Sequence, residues 1–131
     1  MSQLSSASAI FGSMPQQSDI TVDDVIPRRA EFPEIAPLLK RIRETYAPQA
    51  VLLFGSHARG DNRPDSDWDL LVLLKDNAPE SLLDPYLTWE VKQGTGVSAD
   101  VLCEYENEFT SCRNIVNTLA YEIKNDAIRV D

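Results

Sequence analysis

Two short stretches decide the fold: LFGSHARGD at residues 53–61 and SDWDLLV at residues 66–72. The first begins in a wholly apolar run, Val51–Phe54, which stops at Gly55 and indicates a short buried strand. A strand that ends in Gly-Ser and turns into a helix leaves free backbone N–H groups at the turn. Because Gly55 has no Cβ and Ser56 adds a hydroxyl donor, this turn is suited to holding phosphate. Taken alone, a Gly-Ser pair is also typical of a plain strand-to-helix turn.

The second stretch places two carboxylates beside a strand. Asp67 and Asp69 are two residues apart around the predicted strand Trp68–Leu74, so their side chains emerge on one face. Adjacent carboxylates repel unless a cation bridges them, and such oxygen ligands suit Mg²⁺ or Mn²⁺. The alternative is that Asp67 caps the strand and Asp69 is a solvated surface residue. The apolar run Leu70–Leu74 directly after Asp69 argues against full solvation.

A third carboxylate, Asp100, falls inside the third predicted strand, Val97–Cys103. Aspartate is a poor strand former, so strand propensity does not explain why an aspartate lies between Ala99 and Val101. Glu104 lies close by in the sequence and leaves the choice of the third acidic residue open.

Outside these stretches, apolar periodicity predicts three helices. They are an amphipathic helix over Ile35–Tyr46, a short helix from Asp84 to Gln93, and a C-terminal helix whose apolar face runs from Ile115 to Ile123. With the strands, this order predicts an α+β (α/β-like) fold in which a small mixed β-sheet is flanked by helices. Residues 1–27, rich in Ser, Gln and Ala, are predicted to form a flexible N-terminal arm, and residues 28–131 the folded domain.

The composition favours one globular domain that does not span a membrane. The chain has 131 residues, of which 43% are hydrophobic and 25% charged. No apolar run approaches the ~18 residues that a membrane span requires. The N-terminal stretch has neither the basic nor the continuous apolar region of a secretory signal, so a cytoplasmic location is expected. Cys103 and Cys112 fit neither a disulfide framework nor a CxxC motif.

The charge balance limits both the chemistry and the partners. His57 is the single histidine, which excludes a multi-histidine zinc site and leaves carboxylate chemistry. The formal net charge is −9, and the whole excess lies in residues 64–131, which hold five basic and fourteen acidic side chains. An acidic surface repels phosphates, so direct nucleic-acid binding is disfavoured and a basic partner is favoured.

One spacing resembles that of a known family. Gly55-Ser56, ten intervening residues and then Asp67-Trp68-Asp69 match the GS-x10-DxD signature of the DNA polymerase beta-like nucleotidyltransferase superfamily. Ala58-Arg59-Gly60 and Ser66 match smaller flanking preferences. The chain is most similar to the minimal nucleotidyltransferase branch, some members of which act as antitoxins beside HEPN-type ribonuclease toxins. The resemblance covers about residues 34–125 and implies a polymerase beta-like nucleotidyltransferase fold.

On the phosphate side, the resemblance implies that Gly55 and Ser56 hold the triphosphate of an incoming nucleotide. Arg59, one helical turn later, is expected to touch the phosphates, although an arginine at this position can equally be a solvated helix residue. His57 occupies a position where the family tolerates several residue types, so it is interpreted as a spectator.

On the metal side, the resemblance implies that Asp67 and Asp69 ligate two Mg²⁺ ions, with Mn²⁺ as the alternative. Asp100 is implied as the third carboxylate, which shares a metal and draws the proton from the attacking hydroxyl. Two such ions stabilise the attacking and leaving oxygens of an in-line attack on the α-phosphorus of ATP.

The function implied is metal-dependent transfer of AMP from ATP to an acceptor hydroxyl on a partner HEPN-type toxin, by which the protein acts as an antitoxin. Two alternatives stay open. One is a non-catalytic binding module that neutralises its partner by masking, and the other is an adenylyltransferase acting on a small molecule or a nucleic acid. Association into homo-oligomers is compatible with the sequence.

Overall fold

A four-stranded mixed sheet lies at the centre of the fold. The computed structural model describes residues 20–131. The strands are β1 (Ala50–Phe54), β2 (Trp68–Leu74), β3 (Ala99–Tyr105) and β4 (Ile128–Arg129), in the spatial order β3-β2-β1-β4. β2 runs antiparallel to β1 and parallel to β3, and β4 runs antiparallel to β1. The prediction that the first three strands are neighbours in a mixed sheet is therefore confirmed.

Short helices flank this sheet. They are α1 (Val22–Val25), α2 (Ala36–Tyr46), α3 (Ser56–Arg59), α4 (Pro85–Glu90), α5 (Glu106–Ser111) and α6 (Leu119–Ile123), with 3₁₀ turns at Pro33–Ile35 and Glu80–Leu83. This arrangement confirms the α+β class. Among residues 20–131, no helix has the length and apolar character needed to cross a membrane.

Alternation of the side chains along β2 separates two apolar cores. Leu70, Val72 and Leu74 belong to the first core, together with residues of α2. Leu71 and Leu73 belong to the second core, together with residues of α1, α5 and α6. Because both faces of the strand are covered, its sequence is a continuous apolar run rather than an alternating one.

The N-terminal segment differs from the predicted flexible arm. Residues 1–19 of that arm lie outside the described residues. In the remainder, Val22 and Ile26 are only 1% and 0% exposed and form part of the second core. Their i, i+4 spacing puts both on one side of a helical turn, and the Val22 backbone N–H donates to Glu106 Oε2 at 3.1 Å. Residues 20–27 are therefore packed against the domain, and the Ser, Gln and Ala content of residues 1–27 as a whole conceals this apolar end.

The C-terminal helix is shorter than predicted. Ile115 and Val116, assigned to its buried face, are 53% and 61% exposed and precede the helix. Asn117 has a φ of +72°, which a helix does not accommodate. The helix begins instead after Thr118, whose hydroxyl accepts a hydrogen bond from a backbone N–H three residues on, at 3.2 Å. A polar cap, rather than the apolar spacing, sets this boundary.

The helix predicted from Asp84 to Gln93 begins as expected and ends early. Asp84 caps α4 because its Oδ1 accepts from the Tyr86 backbone N–H at 2.9 Å. The helix ends at Glu90.

Glu104 gives the fold a dependence on pH. It lies on β3 opposite Leu73, on the face that also carries Asp100. Burial, and secondly the Glu108 carboxylate, raises the pKa of Glu104 from 4.5 to about 7. Because the folded state then binds this proton more tightly than the unfolded state, the contribution of Glu104 to stability falls as the pH rises from 4.5 to about 7 and is level above that.

We expect Glu104→Gln to remove this pH dependence. At pH 8 the variant should be more stable than the wild-type protein by about 1–2 kcal/mol, an amount reduced by the solvent that still reaches the side chain. At pH 4 the two proteins should be equally stable. Urea unfolding at both pH values measures the difference, with the exposed Glu80→Gln as control. A difference that is the same at both pH values would contradict the assignment.

Candidate active site

The Gly-Ser turn, Gly55-Ser56, joins β1 to α3. Gly55 has φ +76° and ψ −155°, a conformation that essentially only glycine adopts. A Cβ at this position would lie 2.2 Å from Asp69 Oδ2, well inside van der Waals contact. Position 55 thus requires glycine for two reasons: its backbone conformation and the close approach of the Asp69 carboxylate.

The turn also presents unpaired donors. The backbone N–H groups of Ala58 and Arg59 donate to the Gly55 carbonyl at 3.1 and 3.0 Å. Within residues 20–131, the N–H groups of Ser56 and His57 have no hydrogen-bond acceptor, and the Ser56 hydroxyl has no partner. Groups of this kind at the start of a helix are suited to an anionic ligand.

Three carboxylates lie on the sheet face next to this turn. Asp69 is the second residue of β2. Asp67 precedes the strand and, being two residues earlier, has its side chain on the same face as Asp69. The parallel register pairs Asp69 with Asp100 of β3, and the antiparallel register pairs Asp69 with Phe54 of β1. We call Asp67, Asp69 and Asp100 the acidic face; the structure places all three on one side of the sheet.

The charges of the acidic face act on one another. Burial raises the pKa of Asp69, and the Asp100 and Asp67 carboxylates raise it further. His57 and Arg59 lower it, but the net shift is upward. None of the salt bridges found in residues 20–131 involves a residue of the acidic face. The site therefore holds excess negative charge that a cation would relieve.

Asp67 is held by the segment that precedes β3. The Ser98 hydroxyl donates to Asp67 Oδ1 at 2.5 Å, and the Trp68 backbone N–H donates to the Ser98 carbonyl at 3.0 Å. Ser98 is a contact of the site that the sequence analysis missed, because the two residues are 31 positions apart. The small hydroxyl residue at the entry to a strand was the one available signal.

The donor set of the acidic face suits a hard divalent cation such as Mg²⁺, which prefers carboxylate oxygens. The side chains do not stand ready-assembled: in the described range, no three His, Cys, Asp or Glu side chains are grouped closely enough to hold an ion. Asp67 accepts the Ser98 hydroxyl at Oδ1, which leaves Oδ2 available to an ion. The residues fit a divalent metal by their chemistry and by their uncompensated charge.

The acidic face is open to solvent. Asp67 and Asp100 are exposed, and Asp69 is half-buried. A cavity of about 580 Å³ in the described chain is lined by Phe32, Arg43 and Arg129 and by no residue of the acidic face. The exposed carboxylates of the acidic face form a surface that a second molecule can approach.

Arg59 and His57 flank the Gly-Ser turn in different ways. Arg59 Nε pairs with Asp61 Oδ2 at 3.2 Å, and its contact with phosphate stays a prediction. His57, interpreted as a spectator, makes two specific contacts: its ring stacks on Trp68 with centroids 3.7 Å apart, and Nε2 lies 3.0 Å from the Ser66 carbonyl. An aromatic residue between two aspartates was the sequence signal that could have indicated a stacking partner.

A comparison of the sequence with models of protein families connects this site to a known chemistry. The family model described as "Nucleotidyltransferase domain" matches residues 35–128, which include the Gly-Ser turn and the whole acidic face. No curated protein and no solved structure matches the chain significantly. The family supports nucleotidyl transfer as the general activity, with a nucleoside triphosphate and a divalent metal ion. Because the match covers most of the 131 residues, the chain belongs to the nucleotidyltransferase domain family.

Proposed function

We propose that this protein transfers AMP from ATP to a side-chain hydroxyl of a partner protein, and that it acts in this way as an antitoxin against a HEPN-type toxin. The observation that carries the transfer is the placement of the Gly-Ser turn beside the Asp69–Asp100 pair on neighbouring strands. A module that only masks a partner has no physical need for a turn that only glycine can form, packed against a carboxylate.

Nucleotide binding begins at the Gly-Ser turn. The free N–H groups of Ser56 and His57 and the Ser56 hydroxyl donate to phosphate oxygens. Since Gly55 carries no Cβ, the phosphates can approach the backbone beside Asp69. This places the triphosphate next to the acidic face.

The three residues of the acidic face have two different roles in the transfer. Asp67 and Asp69 would hold the divalent ions, which supply charge neutralisation at the attacking and leaving oxygens. Asp100, exposed and opposite Asp69, accepts the proton of the acceptor hydroxyl. The hydroxyl oxygen bonds to the α-phosphorus while the bond from that phosphorus to the bridging oxygen of the β-phosphate breaks, so pyrophosphate leaves.

A protein acceptor is supported by the open site and by the charge of the chain. Because Asp67 and Asp100 are exposed, a large acceptor can reach the acidic face and supplies its own contact surface. Leu102, on the same face of β3 as Asp100 and 45% exposed, offers it an apolar contact. The net charge of −9 favours a basic partner and speeds its encounter.

The antitoxin role follows from the same electrostatics. A ribonuclease needs basic patches to hold RNA, and an added phosphodiester there opposes RNA binding by its negative charge. Tyrosine is the acceptor that the resemblance to the minimal nucleotidyltransferases favours.

The test is intact-mass measurement of a HEPN-type toxin after co-expression with this protein. We expect the toxin to gain the mass of one AMP moiety and to lose ribonuclease activity. The double variant Asp67→Asn, Asp69→Asn should produce neither change. Glu44→Gln, which removes one exposed charge from α2, is the matched control and should behave as wild type.

Two results would overturn the proposal. A toxin that is inhibited without a mass increase, and that stays inhibited by the double variant, would show masking instead of transfer. A toxin that is neither modified nor inhibited would exclude it as the acceptor.

A further inference from the structure

Three rings are in contact behind the acidic face. Trp68, between Asp67 and Asp69 in the sequence, lies parallel to His57 with centroids 3.7 Å apart and an interplanar angle of 8°. On Trp68, Phe32 makes an edge contact with centroids 5.7 Å apart and an angle of 68°. Trp68 and Phe32 are partly buried and pack against the first core, which anchors these rings to the interior.

His57 contacts the residues on both sides of Asp67. Its ring covers Trp68, which follows Asp67, and its Nε2 lies 3.0 Å from the carbonyl of Ser66, which precedes it. Because a carbonyl oxygen only accepts, Nε2 carries the proton in this contact. The backbone around Asp67 is thus fixed from one side by a single side chain.

The same residue is part of the phosphate-binding segment. His57 directly follows the Gly-Ser turn, and its own backbone N–H is one of the free donors. The ladder between β1 and β2 ends at the pair of Phe54 and Asp69, so it does not extend to Asp67. His57 therefore makes the connection beyond the end of the ladder.

We propose that His57 is a positioning residue that sets the distance between the Gly-Ser turn and the Asp67 carboxylate. This role rests on the proposed function of the site. When His57 is removed, Asp67 is still present but is no longer fixed relative to the phosphate donors. Partners that orient metal ligands from behind commonly change metal affinity by about 10- to 100-fold when they are lost.

The test measures binding of Mn²⁺ together with ATP by the loss of the free Mn²⁺ electron paramagnetic resonance signal. We expect His57→Ala to weaken this binding by about tenfold or more. His57→Gln should restore it to within about threefold of wild type, because the Gln Nε2 stands as many bonds from Cβ as the His Nε2 and can donate to the Ser66 carbonyl. Unfolding midpoints of all variants are measured in parallel without metal.

Phe32→Leu is the matched control. It removes the other ring that contacts Trp68 but leaves the connection to the Gly-Ser turn. We expect it to lower the unfolding midpoint at least as much as His57→Ala and to change Mn²⁺–ATP affinity by less than about twofold.

Equal loss of affinity in Phe32→Leu and His57→Ala would reduce His57 to a packing residue and overturn the proposal. Unchanged affinity in His57→Ala would also overturn it while leaving the proposed function intact. If the wild-type protein binds no Mn²⁺–ATP, the proposed function fails, and the role of His57 fails with it.

Discussion

Asp69→Asn should reduce AMP transfer at saturating Mg²⁺ by at least about a thousandfold, which corresponds to about 4 kcal/mol of transition-state stabilisation. Asp69 lies centrally in the acidic face, paired with Asp100 across the strands and packed against Gly55. An amide keeps the shape of the side chain but loses the charge that holds a divalent ion. Transfer of label from ATP to the partner protein measures the effect.

The same substitution should not destabilise the metal-free protein. Burial and the neighbouring carboxylates raise the pKa of Asp69, so folding disfavours its charged form at neutral pH. Removing that charge should leave the free energy of unfolding unchanged or raise it by up to about 1 kcal/mol. Urea unfolding in EDTA is the measurement, with Glu44→Gln as the charge-matched control. Loss of transfer together with loss of folding would mean that Asp69 is a structural residue.

β1 and β2 could be predicted because burial on both sheet faces gives each strand a continuous apolar run. β3 runs from Ala99 to Tyr105, two residues later than the predicted Val97–Cys103, and buried and exposed residues alternate at its start. β2 is apolar from Leu70 to Leu74, and its structural bounds, Trp68–Leu74, are those predicted. β4 has two residues and α5 six, which is too short for a periodic pattern. They were not predicted, since contacts with distant segments determine them.

At the site, the sequence predicts which side chains of one strand share a face of the sheet. It does not predict which residues of neighbouring strands lie opposite each other. Asp67 and Asp69 share a face by their spacing alone. The choice between Asp100 and Glu104 depends on the register of β3 against β2, which no local pattern specifies. The structure pairs Asp100 with Asp69 and Glu104 with Leu73, so Asp100 is the carboxylate beside the pair.

The contacts that hold the site together are longer in range. Ser98 reaches Asp67 across 31 positions, and His57 reaches Ser66 across nine. Both contacts exist because chain segments meet at one end of the sheet. A sequence pattern identifies the residues that carry charge more readily than the neutral residues that orient them.

Gly55→Ala should be the most damaging single-methyl change in the domain. The backbone conformation at φ +76° and ψ −155° costs a residue with a Cβ about 1–3 kcal/mol. The new Cβ would also lie 2.2 Å from Asp69 Oδ2, so the carboxylate must move. We expect the free energy of unfolding to fall by at least about 2 kcal/mol, and transfer to fall by about a hundredfold because a misplacement of about 1 Å has that effect.

Gly60→Ala serves as a control that has a backbone cost without a contact to a carboxylate. Gly60 has a similar positive φ of +83°, but a Cβ there would meet nothing within 4 Å. Its substitution should lower stability by about 1 kcal/mol and leave transfer near wild type. The close approach of Asp69 is tested by repeating Gly55→Ala in an Asp69→Gly background, with urea unfolding as the readout. In that background, Gly55→Ala should lower the free energy of unfolding only by the cost of the backbone conformation, because the Asp69 carboxylate is absent. A full penalty in that background would show that the contact between Gly55 and Asp69 does not shape the site.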